Sequence, residues 1–212
     1  MSLPQRSSRW GSRARPPIDD PRLERWLAAL VATPGLTATR ALGEARRVHL
    51  DDSFAAVGVV ARYAGPIVDV GSGGGAPGLP LAAAFPDREV TLLEASGRKC
   101  EFLETVAREF PNVRVVRGRA EEQETDRFGV AVAKALAPPP VAAEWCLPLV
   151  APGGVAVLYV GPSAEIEHVA SVARRVGGGE PEAFPGLVVV PKVERTPPGF
   201  PRRPGIARKR PL

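Results

Sequence analysis

Residues 67–78 read Ile67-Val68-Asp69-Val70-Gly71-Ser72-Gly73-Gly74-Gly75-Ala76-Pro77-Gly78. A short β-branched run carries an acidic residue, a glycine-packed turn follows, and a proline stands where a helix would begin. That order predicts a strand, a ligand-cradling loop and a helix N-terminus. A side chain in such a loop would hold the backbone away from a ligand and block φ > 0, which glycine adopts freely. Pro77 suits a first helical turn, where its missing N–H costs nothing. Two groups of cofactor are compatible with this layout, dinucleotides and S-adenosylmethionine, and the rest of the chain chooses between them.

Outward from this stretch, strand-like runs at 66–70, 89–94, 113–117, 128–134, 154–160 and 187–193 alternate with helical patterns at about 77–84, 97–110, 138–148 and 164–176. The alternation predicts an α/β fold, a mostly parallel sheet with helices on both faces. Ligands bind such sheets beyond the carboxyl ends of the strands, where the strand order reverses. The loops after Val70, Leu93, Arg117 and Lys134 are therefore expected to line one site. Upstream, Leu23, Trp26, Leu27, Leu30 and Val31 fall at helical spacing, and a second helical region broken near Asp51 covers roughly 39–62. The expected organisation is a disordered basic tail at 1–20, a helical cap at 21–62, a Rossmann-like core at 63–193 and an extended basic tail at 194–212.

Composition narrows the class. A chain of 212 residues suffices for one α/β domain and not for two large ones. Cys100 and Cys146 lie far apart without metal-site spacing, so neither a metal site nor a disulfide framework is expected. No apolar run reaches the length of about 18 residues that a membrane helix needs, and the arginine-rich N-terminus lacks the apolar core of a secretion signal; a cytoplasmic protein is expected. The net charge of +5 is unevenly placed. Residues 1–18 hold Arg6, Arg9, Arg13 and Arg15 with no acid, residues 192–212 hold seven basic side chains against Glu194, and the body between is net acidic. Basic ends on an acidic body point to a polyanionic partner.

Gly73-Gly74-Gly75-Ala76-Pro77-Gly78 satisfies G-x-G-x-x-G, but a glycine-rich turn satisfies several patterns at once, so the match to a dinucleotide site is weak. Three features favour S-adenosylmethionine. Asp69 sits inside the strand just before the first glycine. Glu94 closes the second strand about 20 residues on, where an acid binds a ribose diol. Ala151-Pro152-Gly153-Gly154 leads into the fifth strand, a turn that recurs in class I methyltransferases.

Several further blocks belong with these: Pro77-Gly78-Leu79-Pro80-Leu81-Ala82, Leu92-Leu93-Glu94 with Lys99 and Phe102-Leu103, Gly118-Arg119-Ala120-Glu121-Glu122, Ala135-Leu136-Ala137-Pro138, and the ending Pro201-Arg202-Arg203-Pro204-Gly205 with Lys209-Arg210-Pro211-Leu212. Leu36-Thr37-Ala38 and His49, Asp52 and Ser53 fit more loosely. Together, residues 34–212 resemble the bacterial small-subunit rRNA methyltransferase G family, also called glucose-inhibited division protein B. The resemblance implies a class I S-adenosylmethionine-dependent fold, methylation of a guanosine N7 in 16S ribosomal RNA, and the small ribosomal subunit or its RNA as partner. Carried over by position, Gly71 and Ala76 would contact the cofactor, Ala120 and Glu121 would meet its adenine end, and Lys134 stands where the family usually has arginine. With Asp69, Ser72, Gly73, Gly75 and Glu94 these make up the candidate cofactor set. Arg202, Arg203, Arg208, Lys209 and Arg210 are the candidate RNA-binding residues, acting through phosphates. Guanine N7 has an exposed lone pair and no proton to lose, so no general base is required and no catalytic residue is assigned; positioning supplies the acceleration. A monomer is expected.

Three positions depart from the family pattern: Gly35 for asparagine, Val160 for lysine, and Lys134, which keeps the charge but loses the planar fork of arginine. They leave open a weakened member acting as an RNA-binding or assembly protein, and a methyltransferase with another RNA or a small-molecule acceptor. His49 reads at least as readily as a buried or capping side chain as a catalytic one, and Trp26 and Trp145 read as core.

Overall fold

The structure, a computed structural model, describes residues 19–162 and 164–212. Most of the expected N-terminal tail, residues 1–18, lies outside the described residues. At the centre is β1 (Ile67–Val70), buried at every position. It pairs in parallel with β2 (Val90–Glu94) on one side and β4 (Phe128–Lys134) on the other. Outside them lie β3 (Val113–Arg117) and β5 (Val150–Tyr159), also parallel. Beyond β5 the direction inverts: β7 (Leu187–Pro191) is antiparallel to β5, and β6 (Glu182–Phe184) closes the edge, giving the order 3-2-1-4-5-7-6. The order reverses between β1 and β4, which opens a crevice at their carboxyl ends.

Successive strand residues feed two cores, as the period of two requires. Ile67, Leu92, Val130, Val132, Val155 and Val157 face one side, where α1 (Pro21–Ala32), α5 (Gly78–Ala84) and α6 (Gly97–Ala107) pack. Val68, Val70, Leu93, Ala131, Ala156 and Leu158 face the other, under α7 (Pro139–Cys146) and α8 (Ile166–Arg175). α1 forms where sequence predicts it: Asp20 caps it by accepting from Arg22 N–H, Pro21 starts it, and Leu23, Trp26, Leu27 and Leu30 are its buried stripe. The second cap region is more broken than its spacing implies. α2 (Leu42–Ala45) runs into a π-helical turn at Arg46–Asp51, followed by α3 (Asp52–Phe54) and α4 (Val57–Val60). Such π turns concentrate at functional sites, and this one carries His49 to the mouth of the crevice.

The C-terminal segment differs from the free, extended tail expected of it. Lys192 is buried, and its ammonium donates to Leu147 O, Val176 O and Thr196 Oγ1 at 3.0, 2.9 and 2.8 Å, with Asp126 Oδ1 at 3.5 Å. Arg202 grips buried Glu144 with two bonds of 2.5 and 2.6 Å. A short helix, α9 (Ile206–Lys209), buries Ala207 and packs on α7. Docking of this kind needs only a few anchors, which a Pro- and Arg-rich composition conceals.

Candidate active site

The glycine loop is held mainly by its own backbone. Gly71 and Ser72 N–H donate to Leu93 O at 2.8 and 3.1 Å, Gly75 N–H to Ser72 O at 2.7 Å, and Gly73 N–H to Glu94 Oε2 at 2.9 Å. Gly78 N–H donates to Asp69 Oδ2 at 2.9 Å, and Trp26 Nε1–H reaches from α1 to Gly74 O at 2.7 Å. Asp69 is fully buried beneath the loop; its Oδ1 has no partner, and burial pushes its carboxyl up to about 7. A Cβ at Gly74, Gly75 or Gly78 would come within 2.4 Å of Leu30, 2.7 Å of Leu79 or 2.3 Å of Leu92. These glycines are thus demanded by packing. A pyrophosphate cradle needs free backbone N–H groups, and the amides of Gly71, Ser72, Gly73, Gly75 and Gly78 are already spent, leaving those of Gly74 and Ala76. Two remaining amides are a poor cradle, which weakens the dinucleotide reading.

Along the carboxyl ends of the strands runs a groove of three adjoining cavities. The first, about 230 Å³, is walled by Gly71, Glu94, Ala120, Glu121, Leu136 and Trp145. The second, about 260 Å³, lies between the cap and the loop, against His49, Ser72, Gly73, Ala76, Lys99 and Lys134. The third, about 490 Å³, is bounded by Asp52, Lys134, Tyr159, Val160, Pro185 and Gly186. Gly71 and Ala135 border both first and second; Lys134 and Ala135 border both second and third. Ala135, at this junction, is held at φ 52°, a conformation costly without glycine and typical of functional turns.

Lys134 is the polar pivot. Its ammonium donates to Val48 O of the π turn, stands 3.6 Å from Asp52 Oδ2 and lies 5.8 Å from the centre of the Tyr159 ring. Burial lowers its pKa, and Asp52 opposes that shift. Tyr159 OH donates to Ser53 O at 2.6 Å, tying β5 to the cap, and its burial pushes the phenol up. His49 Nε2 shares a 2.8 Å hydrogen bond with Thr37 Oγ1; burial first, and Lys134 second, lower its pKa, so the imidazole is neutral at pH 7.

Comparison with known proteins identifies the frame. A family model described as rRNA small subunit methyltransferase G (GidB) matches residues 22–185. The chain belongs to this family. It is 40% identical over 169 residues to ribosomal RNA small subunit methyltransferase G of Synechococcus elongatus, covering 71% of this chain and 70% of that one. It is 35% identical over 197 residues to its namesake in Alkaliphilus metalliredigens, covering 84% and 82%. Among solved structures, a SAM-dependent O-methyltransferase of Thermotoga maritima aligns with TM-score 0.56 at 15% identity over 74% of this chain and 72% of its own. A 16S rRNA methyltransferase of T. thermophilus, solved with AdoMet and guanosine, aligns at 0.50 and 17% identity over 64% and 37%. These structural matches show the fold, and family and fold are those of S-adenosylmethionine-dependent methyltransferases.

The residues of this methyltransferase G chain fit that cofactor. The first cavity offers the carboxylates of Glu94 and Glu121, acceptors suited to ribose hydroxyls and an adenine amino group. Each Glu94 oxygen takes one backbone N–H, from Gly73 and from Ser96 at 2.8 Å, which fixes the carboxylate while leaving lone pairs for a ligand. At Gly71 a Cβ would stand 2.3 Å from Leu136 Cδ1 at φ 70°, so only glycine lets the backbone border the groove there.

Of the sequence candidates, Gly71, Ser72, Gly73, Ala76, Glu94, Ala120, Glu121 and Lys134 line the groove. Asp69 and Gly75 do not: both are buried below it, shaping the loop that others expose. Arg202 is half-buried and paired with Glu144. Arg208 lines the first cavity, and Gly205 N–H donates to Glu121 at 2.9 Å, so the C-terminal segment walls the cofactor end. Arg203, Lys209 and Arg210 are exposed. Sequence reasoning missed Tyr159, Leu136 and Trp145 as lining residues; Trp145, read as core, borders the first cavity. Nothing local in the sequence marks them, since each owes its place to the end of a strand or helix. Neither cysteine offers a thiolate, for both are buried and burial raises both pKa values. Among the described residues no cluster of metal-ligating side chains and no helix long and apolar enough to cross a membrane occurs.

Proposed function

We propose that this chain transfers a methyl group from S-adenosylmethionine to N7 of a guanosine in small-subunit ribosomal RNA, acting in the cytoplasm as a monomer without a metal ion. The observation that carries the reading is the adjacency of the three cavities. The pocket with ribose-binding chemistry shares Gly71 and Ala135 with the second cavity, which shares Lys134 and Ala135 with the cavity of 490 Å³. When bound, S-adenosylmethionine supplies an electrophilic methyl carbon: the N7 lone pair forms the new bond, the C–S pair stays on sulfur, and no proton leaves N7. What this chain does is therefore positional. Glu94 and Glu121 hold the nucleoside end, and the Lys134–Ala135 turn sets where the two reactants meet. The absence of a poised base among the groove residues is then expected: His49 is neutral and hydrogen-bonded to Thr37. Exposed Arg203, Lys209 and Arg210, beyond the first cavity, serve phosphate contacts.

The test is incubation with methyl-labelled S-adenosylmethionine and small subunits lacking this methylation, followed by chemical cleavage at N7-methylguanosine. Label at one cleavable guanosine is the expected result. No label, with cofactor binding intact, would overturn the assignment and favour an RNA-binding role or another acceptor.

A further inference from the structure

Lys134 and Asp52 form a cross-segment pair that borders the third cavity, Lys134 largely buried and Asp52 exposed. Their charged groups are 3.6 Å apart, and the Asp52 side chain is 53% exposed. The π turn holds Lys134 from behind: Val48 O accepts one of its N–H groups and Asp52 engages a second, leaving one of the three for a ligand. Tyr159, pinned by its bond to Ser53 O, stiffens the wall beside the pair, and Pro185 and Gly186 bound the cavity. The cavity thus presents a donor next to an acceptor, in fixed order, adjoining the junction at Ala135.

That order matches one purine. Guanine carries O6, an acceptor, next to N1–H and the N2 amino group, which are donors, and O6 neighbours N7. Adenine reverses the pattern, with an amino donor at position 6 and an acceptor at N1. We infer that Lys134 and Asp52 read the acceptor base, Lys134 donating to O6 while Asp52 accepts from N1–H and the N2 amino group, so that the adjacent N7 faces the cofactor side of the groove. This rests on the function proposed above and adds to it the residues that select the base. A carboxylate on that edge also offsets the positive charge that the purine ring gains on N7 methylation. A lysine fits this role, because a single point donor suffices for O6 once Asp52 takes the rest of the edge.

The test pairs a residue change with a base change. Asp52→Asn is expected to lower kcat/KM for methylation of unmethylated small subunits by about 10- to 100-fold, the scale of one two-bond base contact, while S-adenosylmethionine affinity by calorimetry stays within about twofold. Small subunits reconstituted on a ligated RNA with inosine at the target, which lacks the N2 amino group, are expected to cost the wild type about tenfold and Asp52→Asn little more. Wild-type kcat/KM in Asp52→Asn, or losses from residue and base that multiply, would overturn the assignment of Asp52 while leaving the methylation reading intact. No label from the wild-type protein would overturn both.

Discussion

On one side of Lys134 the groove wall is a loop with five amides spent on Leu93, Ser72, Glu94 and Asp69, packed so closely that a Cβ at any of four of its glycines would force a neighbour to shift. On the other side the wall is assembled from the cap, β5 and the turn before β7, with exposed Asp52 and an open cavity. The first wall is fold and site at once, so a change there is paid in stability before it is seen in binding. The second touches the core through Tyr159 and Val160 but exposes Asp52 to the cavity. Lys134 and Val160 both border this second wall.

Gly78→Ala is the strongest test of that contrast. Its Cβ would meet Leu92 Cδ2 at 2.3 Å and Asp69 Oδ2 at 2.7 Å, so two fully buried side chains would have to shift. A loss of about 3 kcal/mol or more is expected, read as a lower urea midpoint at unchanged slope. Near-wild-type stability would mean that the loop is softer than its contacts imply.

Asp69→Asn probes the same wall through pH. Burial raises the Asp69 carboxyl from 3.8 to about 7, so between those values the native state holds a proton that the unfolded chain has released. Protons bound in excess by the native state make stability fall as pH rises, so this residue destabilises the fold progressively from about pH 4 to about pH 7. Asp69→Asn should lack that decline. Relative to the variant, the wild type should lose on the order of 2 kcal/mol between pH 5 and pH 8 by urea denaturation. Parallel pH profiles would show that Asp69 is charged in the native state.

Trp26→Phe removes the bond from the cap to Gly74 O while keeping most of the ring volume. An unsatisfied carbonyl should cost about 1 kcal/mol and weaken S-adenosylmethionine binding severalfold, measured by calorimetry. Unchanged affinity would separate the cap from the cofactor wall.

These two walls also explain what could be read in advance. Parallel strands buried on both faces are near-continuous apolar runs, so β1, β2 and β4 stand out in the sequence, whereas edge strand β3 is only half-buried and carries Arg114 and Arg117. The glycine loop is legible because its constraints are local: Asp69, Gly71 and Gly78 touch neighbours close in sequence or on the next strand. What that reading missed is which atoms the constraint serves, since Asp69 and Gly75 support the loop from beneath. β6 has three residues, mostly exposed and at the sheet edge, and carries no periodic signal. The C-terminal segment misled for a related reason: the Arg202–Glu144 and Gly205–Glu121 contacts join residues separated by 58 and 84 positions. The Lys134–Asp52 pair crosses a comparable gap, and charge alone does not identify which acid a lysine meets.

Val160→Lys asks whether the two walls are independent, and its expected effect on the folded protein is the smallest. Val160 is half-buried at the rim of the third cavity and has no part in the loop. Val160 packs at the margin of the core, so a loss of less than about 1 kcal/mol is expected, the lysine stem keeping part of that contact with its ammonium in water. S-adenosylmethionine affinity should also hold, because Gly71, Glu94 and Glu121 lie on the other side of Lys134. The change should appear in RNA binding, where one more phosphate contact steepens the fall of log affinity with log salt by about 0.7 to 0.9. A tenfold shift in cofactor affinity instead would mean that a charge at Val160 is felt through Lys134 and Ala135. The turn would then couple the acceptor cavity to the cofactor pocket, and the contrast between the walls would describe their construction and not their function.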